Sequence, residues 1–188
     1  MWMNSEVFHQ LTQRHFMFLK EWGMRVKGRT KEECVRFESY NTWLEVWFDK
    51  YDLFVRMGLK TDSYVISLWD VVETKSGKGN DVFYMASDEE KLIQGLQKIA
   101  YYVKHYCGEA LVGDVEFYKS ILRSREIREQ KNAVMHENRN VEKRAKAAWD
   151  NGNYREVVML YLSINEKLTP IQEKRLKLSQ KRIAELSN

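Results

Sequence analysis

The side chains best suited to nucleophilic or metal chemistry are few and scattered. There are four histidines, His9, His15, His105 and His136, and two cysteines, Cys34 and Cys107. His9 and His15 fall six residues apart in a helical pattern, which turns them to different faces and argues against a shared metal. His105 stands beside Tyr106 and Cys107 near a predicted helix end, where a Cys–His pair would generate a thiolate nucleophile. Neither an orienting third group nor an oxyanion donor accompanies that pair in sequence. The cysteines have no Cys/His cluster around them, so both are expected to be buried free thiols. Ser76-Gly77-Lys78-Gly79 looks superficially phosphate-cradling, but a P-loop needs two glycines five residues apart followed by Lys and Ser/Thr. The segment 75–82 is therefore predicted to be an exposed loop. No catalytic residue, metal site or cofactor is assigned.

A sharper spacing is Lys131-Asn132-Ala133-Val134-Met135-His136. It resembles the Arg-polar-x-x-x-His motif of the all-helical nuclease domains of bacterial defence and toxin systems. That resemblance implies a cation and an imidazole acting together on an RNA phosphodiester. Lysine replaces the arginine here and lacks its bidentate fork for phosphate. His136 is accordingly expected on the surface of a polar helix.

Residues 5–22 read as one amphipathic helix, with Phe8, Leu11, His15 and Leu19 at helical spacing and a stop at Gly23. The period then changes to two. Leu44, Val46 and Phe48 alternate with Trp43, Glu45 and Trp47, and Leu53, Val55, Met57 and Leu59 alternate beyond a turn at Asp49–Asp52. Ser63–Leu68 adds a fourth strand or leads into a helical turn. Leu44, Val46 and Phe48 are predicted to face the core, leaving Trp43, Trp47 and Tyr51 as an exposed aromatic face. Ser87 with Glu90 reads as a capping box opening a helix striped by Leu92, Leu96, Ile99, Val103 and Tyr106. Asp114 caps the next helix, with Val115, Tyr118 and Leu122. The polar run SREIREQKN after Leu122 marks a boundary. The fold class is thus α+β: an antiparallel meander of about four strands flanked by helices over residues 1–124, with an all-helical module over 125–188.

Within that module, Ala145, Ala148, Trp149, Gly152, Tyr154, Val157 and Tyr161 resemble the inter-helix half of a tetratricopeptide repeat. The resemblance covers about residues 141–170 and a single copy. It implies that the small residues and Gly152 are internal, with Gly152 making a positive-φ turn and the aromatics filling the groove between helices. It also implies a peptide- or protein-binding role. Thr169 with Gln172 forms a fresh capping box before the last helix. Arg144, Asn151 and Arg155 remain as candidate contacts on the module, with Trp43, Trp47 and Tyr51 as a second candidate patch.

A chain of 188 residues, 44% hydrophobic, has the length and composition to bury a real core, and disorder is not expected. The opening residues lack a signal-peptide pattern and no run is long enough to span a bilayer, so a cytoplasmic protein without a membrane segment is expected. The net charge of +4 hides a tilt: from Lys119 onward there are sixteen Lys and Arg against nine Asp and Glu, and before it fifteen against eighteen. The basic C-terminal part is suited to meet a nucleic acid or an acidic protein surface. In general form the chain resembles small bacterial proteins that neutralise toxins or act as adaptors in defence and phage systems. The expected function is therefore non-catalytic protein binding, with a nucleic-acid-binding or RNA-cleaving protein as the alternative.

Overall fold

The computed structural model describes residues 4–27, 32–164 and 167–186. The first three residues, read above for a targeting signal, lie outside them. The chain forms two compact units, Met1–Glu126 and Ile127–Asn188.

The first unit is α+β. Helix α1 (Ser5–His15) starts where the Asn4 side chain accepts from Glu6 N–H at 2.9 Å, satisfying one of the orphan donors of the first turn. The single helix predicted over 5–22 is in fact two segments. The α geometry ends at Phe16, and a 3₁₀ helix (Met17–Trp22) continues to Gly23. The tighter turn brings Phe16 and Leu19 into the core.

The sheet runs β1 (Arg25–Val26), β2 (Cys34–Glu38), β3 (Thr42–Asp49), β4 (Asp52–Leu59), β5 (Val65–Ser67), each antiparallel to the next. A two-residue β6 (Tyr84–Met85) also pairs with β4, opposite Asp52 and Leu53. Four of these strands are the expected meander; β1 and β6 are too short for any periodicity to reveal. The helix after β5 is longer than a single turn: α2 spans Leu68–Ser76 and is closed by a capping box between Ser67 and Asp70.

The segment 75–82 is only in part the exposed loop that the sequence predicts, since it begins with the last turn of α2. It holds a 3₁₀ helix (Gly79–Val82) in which Gly79 and Val82 are buried, because the glycine packs against Trp69 and Glu73. Helix α3 (Glu89–Tyr106) is capped by Asp88, whose carboxylate accepts from Lys91 N–H at 2.9 Å. Ser87, the predicted cap, instead donates to Asp88 Oδ2 at 3.0 Å. After α4 (Gly108–Val112), Asp114 caps α5 (Val115–Asp150) by accepting from Glu116 and Phe117 N–H.

Leu44, Val46 and Phe48 face inward, as their alternation requires, against Phe8 and Phe16 and the α3 stripe Leu92, Leu96, Ile99 and Val103. Two polar anchors tie later elements to this core. Tyr118 is fully buried and donates to Ala110 O at 3.2 Å. Asp70 accepts from Arg125, which also donates to Val65 O at 3.2 Å. Neither cysteine is in a disulfide, and both are buried.

The second unit is all helical: the end of α5, then α6 (Tyr154–Leu162) and α7 (Pro170–Leu186). The polar run after Leu122 does not interrupt α5, which is continuous over 36 residues. Ala145 and Ala148 are buried against Val157, Leu160 and Tyr161. Trp149 meets Tyr154 edge-on, with ring centroids 5.7 Å apart. Glu142 knots three helices together, accepting from Gln172 at 2.7 Å, Arg175 at 3.2 Å and Tyr161 at 3.5 Å. The Thr169–Gln172 capping box forms as read, with Pro170 at the first helical position. Gly152 does take φ +71°, but it is exposed at the turn tip and not internal, with nothing within 4 Å of where a Cβ would sit.

Candidate functional site

The outward face of the central strands collects a distinctive set of side chains. Strand pairing aligns Arg36, Glu45 and Arg56 in one row across β2, β3 and β4. The neighbouring rows are Cys34–Trp47–Phe54 and Glu38–Trp43–Gly58. A charged row therefore lies between two rows that carry aromatics, and directly opposed side chains are close enough to interact.

Glu45 is the hub. It is only 8% exposed although it stands on the outer face, so its charge must be compensated locally. Arg36 donates to its Oε1 at 3.0 Å, Arg56 to its Oε2 at 3.2 Å, and Trp47 Nε1 to its Oε2 at 2.9 Å. The two guanidinium groups lie over indoles: Arg36 at 4.7 Å from the Trp43 ring and Arg56 at 5.2 Å from that of Trp47. Such cation–π contacts hold a long side chain flat and ordered. Trp47 also stacks parallel to Phe54, at 6.0 Å and 2°.

Trp43 reaches across Gly58, where a Cβ would stand 2.5 Å from the ring. Only glycine permits that close approach. Beside it, burial works against the charge of Glu38. Hydrogen bonds from Lys60, Lys27 and Arg36 outweigh this and hold its carboxyl below the ordinary range. A 290 Å³ hollow opens next to the stack, between Glu33, Trp47, Asp49, Phe54 and Arg56.

No known family, characterised protein or solved structure matches the chain.

Trp43 and Trp47 are half-buried and flank Glu45 on one face. Tyr51 is exposed but does not share that face. β3 ends at Asp49, and the two-residue turn Lys50–Tyr51, with Lys50 at φ +57°, turns the chain into β4. Phe54, directly across from Trp47 on β4, is the aromatic that shares the face instead. Arg36, Glu45, Phe54 and Arg56 were not singled out from sequence, although each lies in the outward series of its strand.

In the helical unit, Arg144, Asn151 and Arg155 are all exposed near the turn between α5 and α6, with Arg144 3.8 Å from Glu156. Lys131 and His136 are exposed on α5, and five residues of helix rotate one from the other by about 140°. His9 Nε2 lies 3.2 Å from Glu32 O, and His105 Nδ1 lies 2.8 Å from Tyr101 O. Burial pushes the Cys107 thiol far above its usual range, the reverse of what a thiolate nucleophile requires. Among the described residues, no three His, Cys, Asp or Glu converge as a metal site would need. None of the helices they form is long and apolar enough to cross a membrane.

Proposed function

We propose that this chain is a non-catalytic protein-binding protein of the kind that neutralises a bacterial toxin or serves as an adaptor in a defence or phage system. The outer sheet face is its contact surface. The observation that carries this reading is the Arg36–Trp43 and Arg56–Trp47–Phe54 array locked onto Glu45. Tryptophan and arginine are the residues in which interface energy concentrates. Ordering each such side chain on binding costs roughly 0.5–1.5 kcal/mol. Here hydrogen bonds and stacking impose the order beforehand, so more of the contact energy remains as affinity. The repeat-like hairpin, through Arg144, Asn151 and Arg155, is a second contact region in this proposal.

The test is to recover the partner by co-purification from the native host and titrate it calorimetrically against folded variants. Trp47→Ala and Phe54→Ala should each weaken binding by about tenfold or more, the scale of a hot-spot residue. Full-strength binding by both, with unchanged circular dichroism, sinks the sheet-face reading.

The parallel Trp47–Phe54 pair with Arg56 above it favours one alternative, a nucleic-acid-binding or RNA-cleaving protein, because stacked aromatics and cations also receive single-stranded bases. Affinity for RNA and DNA across a salt series separates the two. A steep decline with salt marks phosphate contacts by the basic half, whereas the protein-binding reading expects little affinity at any salt. RNA cleavage abolished by His136→Ala would favour the nuclease version.

A further inference from the structure

A second concave region lies elsewhere on the first unit, and its chemistry differs from that of the sheet face. Between the end of α1, the 3₁₀ helix and the edge strand β1 there is a groove of 660 Å³. We propose that it seats an acidic, extended segment of the protein partner, carrying apolar side chains flanked by carboxylates. This deepens the protein-binding reading and rests on it.

Charge is the first argument. Arg14, Lys20 and Arg25 line the groove and no carboxylate does. Among the described residues none of the three forms an ion pair. Glu38, the cross-strand neighbour of Arg25, is taken by Lys27, Arg36 and Lys60. This happens in the part of the chain where acids outnumber bases, eighteen to fifteen before Lys119. The positive charge of the hollow rests on Arg14 and Lys20 on the helical side, with Arg25 at the rim, since the strand alternation that turns Val26 toward Phe37 turns Arg25 toward Glu38; these cations are a local departure from the composition. They raise the concentration of anionic groups there and orient an approaching acidic chain.

Shape is the second argument. The floor is already sealed, with Phe16 0% and Phe37 3% exposed, while Met17 on the wall is 57% and Val26 is 40% exposed. The hollow thus offers two apolar side chains to a segment laid across it.

The edge is the third. β1 ends the strand order, and among the described residues no strand pairs with its other side. Lys27 N–H donates to Arg36 O at 2.9 Å, and Arg25 faces Glu38. The antiparallel alternation therefore points the N–H and C=O of Val26 away from β2. An extended segment adding to such an edge gains backbone hydrogen bonds while its side chains meet the groove.

The experiment uses the full chain and a fluorescein-labelled, N-acetylated peptide Glu-Leu-Glu-Phe-Glu-Leu-Glu, read by anisotropy. Saturable binding is expected that weakens when salt rises from about 50 to about 300 mM. The peptide with Lys in place of every Glu should not bind. Arg14→Glu, Lys20→Glu and Met17→Asp, all at exposed positions, should each raise Kd roughly tenfold or more with the fold intact by circular dichroism.

Four results would overturn the proposal: no binding up to millimolar peptide, equal binding of the lysine peptide, no effect of the three variants, or tighter binding of dodecanoate that displaces the peptide. The last would make the groove an amphiphile site. The recovered partner separates this inference from the sheet-face reading. If groove variants bind the partner at full strength while Trp47→Ala does not, the groove fails and the sheet face stands. If the groove variants lose the partner and Trp47→Ala and Phe54→Ala retain it, the reverse holds.

Discussion

The carboxylate of Asp70 accepts from Arg125 Nε at 3.1 Å and Nη2 at 2.6 Å, and from Ser67 through both its backbone N–H and its hydroxyl. Burial works against the charge, but the hydrogen bonds from Arg125 and Ser67 outweigh it and hold the carboxyl below its ordinary range. A depressed folded-state pKa contributes stability that is present above the unfolded value of about 4 and is lost as pH falls below it. Asp70→Asn should therefore cost roughly 2–3 kcal/mol at neutral pH. The gap from wild type should shrink in urea melts run below about pH 4; a constant gap at both pH values would refute this account. At Gly152 the issue is backbone geometry alone, since no neighbour would touch a Cβ. Gly152→Ala should cost the helical unit about 1–2 kcal/mol, the penalty of a left-handed φ, with Gly152→Asn milder; an unchanged melt for the alanine variant would count against it. The positive φ was legible from Asn151-Gly152-Asn153. Its exposure was not, because a small residue in a turn reads the same whether it is buried or at the tip. The Asp70–Arg125 pair was equally illegible, as its members are 55 residues apart.

Among the elements, β3 was the most readable, because one face is core and a slip by one residue would expose Leu44, Val46 and Phe48 together. Val46→Asp should abolish cooperative folding of the first unit, since it places a charge where exposure is 0%. Trp47→Lys, one position away on the outer face, should leave a cooperative melt. If the two variants unfold alike, the register Val46↔Val55 is wrong. The short strands β1 and β6 left no sequence signal, for two residues cannot establish a period. The full length of α5 left no periodic signal for another reason: its stretch beyond Leu122 has no apolar stripe, so the pattern reads as a polar helix at a boundary without fixing where the helix ends. Helix propensity resolves this, since Arg, Glu, Lys, Gln and Ala dominate that stretch and all are good formers. The cap of α3 shifted by one residue because Ser87 and Asp88 are both competent caps, and only the observed N–H donor identifies which is used. The outer-face array was half legible. Trp43 and Trp47 stood out as types, but the pairing of Glu45 with Arg36 and Arg56 depends on register, which sequence specifies only once the strands are matched.

On the scale of the whole molecule, the two hydrophobic clusters share no residue: the first is complete by Leu122 and the second begins at Val141. Residues 1–126 expressed alone should therefore melt cooperatively with wild-type circular dichroism per residue in the sheet region; a non-cooperative fragment would show that the first core is incomplete. The separation has a chemical corollary. Both thiols of the chain, Cys34 and Cys107, are buried in the first unit, and the sequence contains no third. An alkylating reagent added to the native protein can thus consume thiol only when that unit opens, so its uptake runs as a clock for excursions of the first unit while the second is silent. Cys107, enclosed in the main core, should be alkylated at the rate of global opening. Cys34 begins the short strand β2 and should tick faster through local fraying. Mass spectrometry of the two cysteine-bearing peptides over time would read both hands of that clock without any introduced label, and a partner that clamps the sheet should slow the Cys34 hand first.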